Sequence, residues 1–138
     1  MALVKHVPVK DLRKAVFKLI KDNQTGTVYG PVPKSALLPY ITVGSCTFKP
    51  IGAKNTVIWD TSVQIHAWAG PDDMAAVNEI VDDVVTILTG FSPGSILDVY
   101  KVIDVNIDLV ETFNEINTGY HGIVTAKLTL SDYAKGGN

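Results

Sequence analysis

The stretch "TVIWDTSVQIHAWAGPDDMAAVNEIVDDVVTIL", residues 56–88, decides the fold. Its first fourteen residues alternate. Val57, Trp59, Val63, Ile65 and Ala67 share one face, and Asp60, Ser62, Gln64 and His66 share the other, the period of a strand with one buried side. The alternation stops at Gly70-Pro71-Asp72-Asp73. Gly70 suits a helix N-cap, Pro71 the first helical position, where a missing N–H costs nothing, and the two aspartates complement the positive end of the helix dipole. Val77, Ile80, Val81, Val84 and Leu88 then recur at helical spacing, with Gly90 as the stop.

Other elements group around this strand–helix unit. In "VPVKDLRKAVFKLIKDN", residues 7–23, Leu12, Val16, Leu19 and Ile20 make one apolar helix face. Lys10, Lys14, Lys18 and Lys21 lie mostly opposite and read as a solvated face, because no Gly-rich loop or aromatic partner accompanies them. Val28 and Tyr29 form a short strand, followed by the extended, proline-rich connector 30–39. Residues 39–49, "PYITVGSCTFK", are β-branched and aromatic, a strand that pairs antiparallel with 56–69 across the turn-rich loop 50–55.

After a Ser-Pro-Gly turn at 92–94, "DVYKVIDVNIDLVETF" is a long strand with Val99, Ile103, Val105, Ile107 and Leu109 on one side and Asp104, Asn106 and Asp108 on the other. A turn at 117–122 leads to the last strand, 123–130, with Val124, Ala126, Leu128 and Leu130 on one face. The expected fold class is α+β: an antiparallel sheet of about four to five strands with two helices packed on one face. A chain of 138 residues is expected to form one domain, and at this size folding buries about 68% of the surface of the unfolded chain.

Bulk numbers exclude several function classes. With 46% hydrophobic and 19% charged residues and a net charge of −2, the chain lacks the basic excess of a dedicated nucleic-acid binder. Cys46 is the single cysteine, so no intramolecular disulfide forms, and a reducing compartment is expected. The N-terminus has no continuous apolar core of a signal peptide, and the nearly uncharged run from Thr25 to Thr47 is too polar to span a bilayer, so no membrane role is expected.

Catalytic patterns fail on geometry. Asp60, Ser62 and His66 sit on one face of one strand, where neighbours project in parallel instead of meeting as a triad. Residues 104–115, "DVNIDLVETFNE", put Asp104, Asn106, Asp108 and Glu115 at calcium-loop positions, yet Leu109 stands where the sharp turn requires Gly, and the segment alternates like a strand. Cys46 sits mid-strand as a buried, inert thiol. There is no Walker loop, no Rossmann glycine pattern and no zinc-spaced Cys or His, so no enzyme activity, metal or cofactor is expected.

Taken in order, "DLRKAVFKLI", "VYGPVPKSALLPYITVG" and "TSVQIHAWAG" running into "DDMAAVNEIVDDVVTIL" resemble the tail-completion family of long-tailed phages, which includes tail-to-head joining and tail-terminator proteins. Tyr29, Pro33, Pro39-Tyr40 and His66-Ala67-Trp68 fall at the matching places, over residues 11–90. The resemblance implies a structural virion protein without catalysis or cofactor, acting as a ring, usually a hexamer. That ring caps the head-proximal end of the tail tube and joins the tail to the head connector. Implied partners are further copies of the chain, the tail tube protein and the head-completion protein. DNA passes through without specific binding. Implied locations are the virion and, during assembly, the host cytoplasm.

Within that picture the expected subunit contacts are the loop Lys49, Pro50, Ile51, Gly52, Ala53, Lys54 and Asn55 together with His66 and Trp68. Trp68 is out of phase with the core set, so either a helix covers it or it anchors a contact. The acidic strand Asp104, Asn106 and Asp108 would then face the bore. Two other readings remain: a head–neck connector or minor tail protein, and more remotely a small hydrolase or ligand-binding domain built on His66 or the 104–115 acids.

Overall fold

The structure, a computed structural model, describes residues 7–24, 26–52, 57–90, 96–97, 100–115 and 119–132. The chain runs α1 (Val9–Asn23), β1 (Val28–Tyr29), β2 (Tyr40–Pro50), β3 (Ile58–Ala69), α2 (Met74–Leu88), β4 (Ile96–Leu97), β5 (Tyr100–Glu115) and β6 (Gly119–Asp132). Among the described residues the strands form one sheet in the order β1-β2-β3-β6-β5-β4. Both helices pack on one face of it, the α+β arrangement expected from the pattern. The sheet is larger than expected and mixed: β1 runs parallel to β2, pairing Val28 with Ile41 and Tyr29 with Thr42. The extended connector 30–39, not a tight hairpin turn, joins the two strands and carries the chain back to run alongside.

Strand β3 is the organiser. Trp59, Thr61, Val63, Ile65, Ala67 and Ala69 are all buried, while every residue between them is half-buried. In the antiparallel pairing of β3 with β6, Trp59, Thr61, Val63, Ile65 and Ala67 stand opposite Leu130, Leu128, Ala126, Val124 and Gly122. Leu12, Val16 and Ile20 of α1 and Val77, Val81, Val84 and Leu88 of α2 close over this floor. Each such buried side chain contributes about 1.5–3 kcal/mol. The two polar groups set into the core are satisfied: Thr61 Oγ1 donates to Leu128 O at 2.7 Å, and Trp59 Nε1 donates to the Tyr100 hydroxyl at 3.0 Å.

Helix α2 begins later than the sequence suggests. Asp73, not Gly70, is the N-cap, its carboxylate accepting from Ala76 N at 3.2 Å. Gly70 to Asp72 form the turn before it, since an Asp side chain reaches the exposed N–H groups of a first turn and glycine has none to offer. Gly119, at φ 120°, opens β6 beneath the end of β3, where a Cβ would strike the Ala69 carbonyl.

Two bulges break the alternation of β5, at Ile103 and at Asp108. Each extra residue shifts the later part of the strand to the other face. Leu109 therefore joins Asp104 and Asn106 on the face away from the helices and is 50% exposed, whereas Val105, Ile107 and Val110 turn toward the helix side. Ile103, expected in the core set, is 40% exposed within its bulge. Asp108 has no Cα partner on β6, so it does not continue the row of Asp104 and Asn106. The expected position of Val99 and the turn at 92–94 lie outside the described residues.

Replacing Leu128, fully buried at the centre of β6, by Ala is expected to lower the unfolding free energy by about 2–5 kcal/mol in urea titrations. The same change at the exposed Leu37 should stay within about 0.5 kcal/mol.

Candidate functional site

The face turned away from the helices carries a cluster that crosses four strands. In one register row, Tyr40, Trp68, His121 and Phe113 lie side by side; in the next stand Thr42, His66, Ile123 and Glu111. Such cross-strand neighbours are close enough for their side chains to pack. The Trp68 and His121 rings stack with centroids 3.7 Å apart and planes 18° from parallel. Phe113 closes the other flank of His121 at 4.9 Å and 55°, and His66 lies beside Trp68 at 5.7 Å. His121 is buried as a result.

Polar groups run through the stack in a line. Glu115 Oε1 is 2.5 Å from His121 Nδ1, and His121 Nε2 is 2.7 Å from His66 Nδ1. With Glu115 as a carboxylate, His121 donates to it from Nδ1 and accepts at Nε2 from His66 Nδ1–H. That leaves the His66 Nε2 lone pair at the end of the line, lying over Gly44, where a Cβ would collide with it. Trp68 Nε1 donates to Thr42 Oγ1 at 3.1 Å. Beyond Gly44 the line continues to α1: Arg13 donates to Gly44 O at 2.6 Å and to Val43 O at 3.1 Å. The guanidinium thereby occupies the carbonyls at the β2 irregularity between Val43 and Cys46.

Burial pushes the His66 pKa below its ordinary value, the neighbouring His121 adds to this, and Glu115 opposes it. Cys46, half-buried and facing the helices, has its thiol pKa pushed up by burial against the opposing charge and hydrogen bond of Arg13. Its protonated thiol suits the expected inert role.

This arrangement answers the expectations one by one. His66 and Trp68 are brought together, on the polar face as read. No helix covers Trp68, because both helices lie on the other side; its cover is His121. Asp60 and Ser62 share the face of His66 without meeting it, and its bonded partner is His121, fifty-five residues along the chain. His66 Nε2 is turned onto Gly44 of the neighbouring strand. Residues 104–115 are strand throughout, not a calcium loop, and Asn106 Nδ2 donates to Asp104 Oδ2 at 2.8 Å.

Among the described residues no group of three His, Cys, Asp or Glu side chains is arranged to hold a metal ion. Nor is any helix there long and apolar enough to cross a membrane. Lys49 and Pro50 are the exposed last residues of β2, Ile51 and Gly52 come next and are exposed, and Ala53, Lys54 and Asn55 lie outside the described residues. Sequence reasoning missed His121 and Arg13, and met Glu115 only as a calcium-loop position. The only local signal was that Glu115 ends one long strand and His121 lies near the start of the next.

A family model described as tail completion protein gp17 matches residues 14–129, a span that contains the whole cluster. The chain belongs to this tail completion family. No curated protein matches it by sequence. Among solved structures, a chain in the virion of a native gene transfer agent particle is similar in fold, with a TM-score of 0.78 at 13% identity, over 92% of this chain and 99% of that one. At that identity the likeness bears on the fold, and the tail-completion assignment rests on the family match.

Three outcomes test the cluster. Gly44→Ala should push the His66 ring from its place and lower the unfolding free energy by about 1–3 kcal/mol in urea titrations. In an NMR titration His66 should take up its proton below the ordinary midpoint of about 6.5. Between those two values the unfolded chain holds more protons than the folded one, so this group adds stability that is complete at higher pH and lost as pH falls. Glu115→Gln removes the influence that raises the His66 value, so its midpoint should move lower still.

Proposed function

We propose that this tail completion protein caps the head-proximal end of the tail tube, ends its growth and joins the tail to the head connector, acting as one subunit of a ring, a hexamer. The observation that carries the reading is the family match over residues 14–129. The fold shared with a chain of a gene transfer agent virion is consistent with it. On this reading the protein resides in the virion after assembly in the host cytoplasm, catalyses nothing and needs no cofactor. Its partners are copies of itself, the tube protein and the head-completion protein.

Asp104 and Asn106 share the face away from the helices, and in the ring their end of that face looks toward the bore. Carboxylates there repel the phosphate backbone, so DNA passes without being held. Subunit contacts include the exposed Lys49 to Gly52 and the loop through Asn55 at one end of the β2–β3 pair, and the half-buried His66 and Trp68 towards its other end. The sheet itself is stiffened by the Glu115–His121–His66 line, which suits a part that must present the same surfaces to a head and to a tube.

Electron microscopy of a lysate from a phage lacking this gene tests the role. Overlong tails establish termination, and tails of normal length lying free beside filled heads establish joining. Intact infectious particles overturn both.

A further inference from the structure

Charge on this chain is divided between two elements. Helix α1 carries Lys10, Arg13, Lys14, Lys18 and Lys21 against Asp11 and Asp22, a net +3; β5 carries Asp104, Asp108, Glu111 and Glu115 against Lys101, a net −3. Both elements also expose apolar side chains. On α1 Val9 is 42% exposed, and on β5 Leu109 and Val110 are 50% and 43% exposed, with Phe113 beside them.

Within the chain α1 packs on α2, β1, β2 and β4, so its lysine face is a surface separate from the far half of β5. That half of β5 is also an edge. Among the described residues β4 pairs only with Tyr100 and Lys101, and no strand lies beyond β5 from Val102 to Glu115. A free edge invites pairing with another strand, but here the bulge at Asp108 bends it, and two such edges meeting would bring carboxylates together. An amphipathic cationic helix covers the edge without either penalty.

We propose that the lysine face of α1 in one copy docks on the Asp108–Glu115 edge of β5 in a second copy, a head-to-tail contact. This rests on the ring reading and names the two surfaces that would make its repeating contact. A contact between two different patches repeats from copy to copy and closes where its rotation allows. Its opposite charges steer the approach and set polarity, and the exposed Leu109 and Phe113 of β5 supply apolar area. The bore-facing Asp104 and Asn106 lie in the other half of β5 and are left out of the contact.

The test uses two charge reversals on exposed residues that take no part in the ring contacts or hydrogen bonds of the cluster, Lys10→Glu with Lys14→Glu, and Asp108→Lys with Glu111→Lys. Folding of each is checked by circular dichroism and thermal melting, and association by analytical ultracentrifugation at low and high salt. Expected is self-association of the wild type that weakens with salt, a loss of about tenfold or more for either variant alone, and recovery when the two are mixed in equal amounts. In the mixture each reversed face meets its complement on the other variant.

Association of either variant alone at wild-type strength overturns the proposal, as does failure of the mixture to recover, or a wild type that stays monomeric at the highest concentration reached. Rings seen by microscopy that are indifferent to these reversals would remove this contact and leave the ring reading standing; tails unaffected by gene deletion would remove the ring reading itself.

Discussion

Everything in this molecule depends on β3 being buried on one side only. Its twelve residues alternate without a break between buried and half-buried. That single period fixes which face of β6 can pair inward, where α1 and α2 must lie, and which side chains are left for the other face. A slip of one residue would place His66 and Trp68 under the helices and put Ile65 and Val63 in water. The apolar row opposite the helices makes that slip costly, because several fully buried side chains would be lost together.

The second face is organised by what the first leaves over. Its residues are mostly polar or amphipathic, with Leu109, Phe113 and Ile123 set among them, and no second core forms there. Instead His121 is enclosed by Trp68 and Phe113 and joined to Glu115 and His66. The network ties β5, β6 and β3 together on the side the helices do not reach, and Gly44 and Arg13 extend it to β2 and α1. An imidazole line of this kind looks catalytic in isolation. Its basic end is packed against Gly44 of the same sheet.

The two flanks of the sheet differ in the same spirit. On the β2 side, Arg13 fills the carbonyls at the irregularity near Gly44, which blunts that edge from within the chain. On the β5 side two bulges and a run of carboxylates do the blunting, and no helix of the chain is used. A protein made for an assembly has reason to leave one edge protected only against its own kind.

The sequence by itself determined the α+β class, both helices with their buried stripes, the strand character of β2, the strand periods of β3 and β6 and the tail-completion resemblance, because these are set by residues a few positions apart. The parity of β5 beyond Val102 was not legible, since a bulge is a property of two paired strands and neither announces it alone. Nor was the parallel addition of β1, which depends on the path of the connector 30–39 between it and β2. The His66–His121–Glu115 line was hidden for the same reason. Its members come from three strands, and only the register of β3 on β6 and of β6 on β5 brings them within hydrogen-bonding distance. Local periodicity decides what each element buries; pairing across the sheet decides which residues meet.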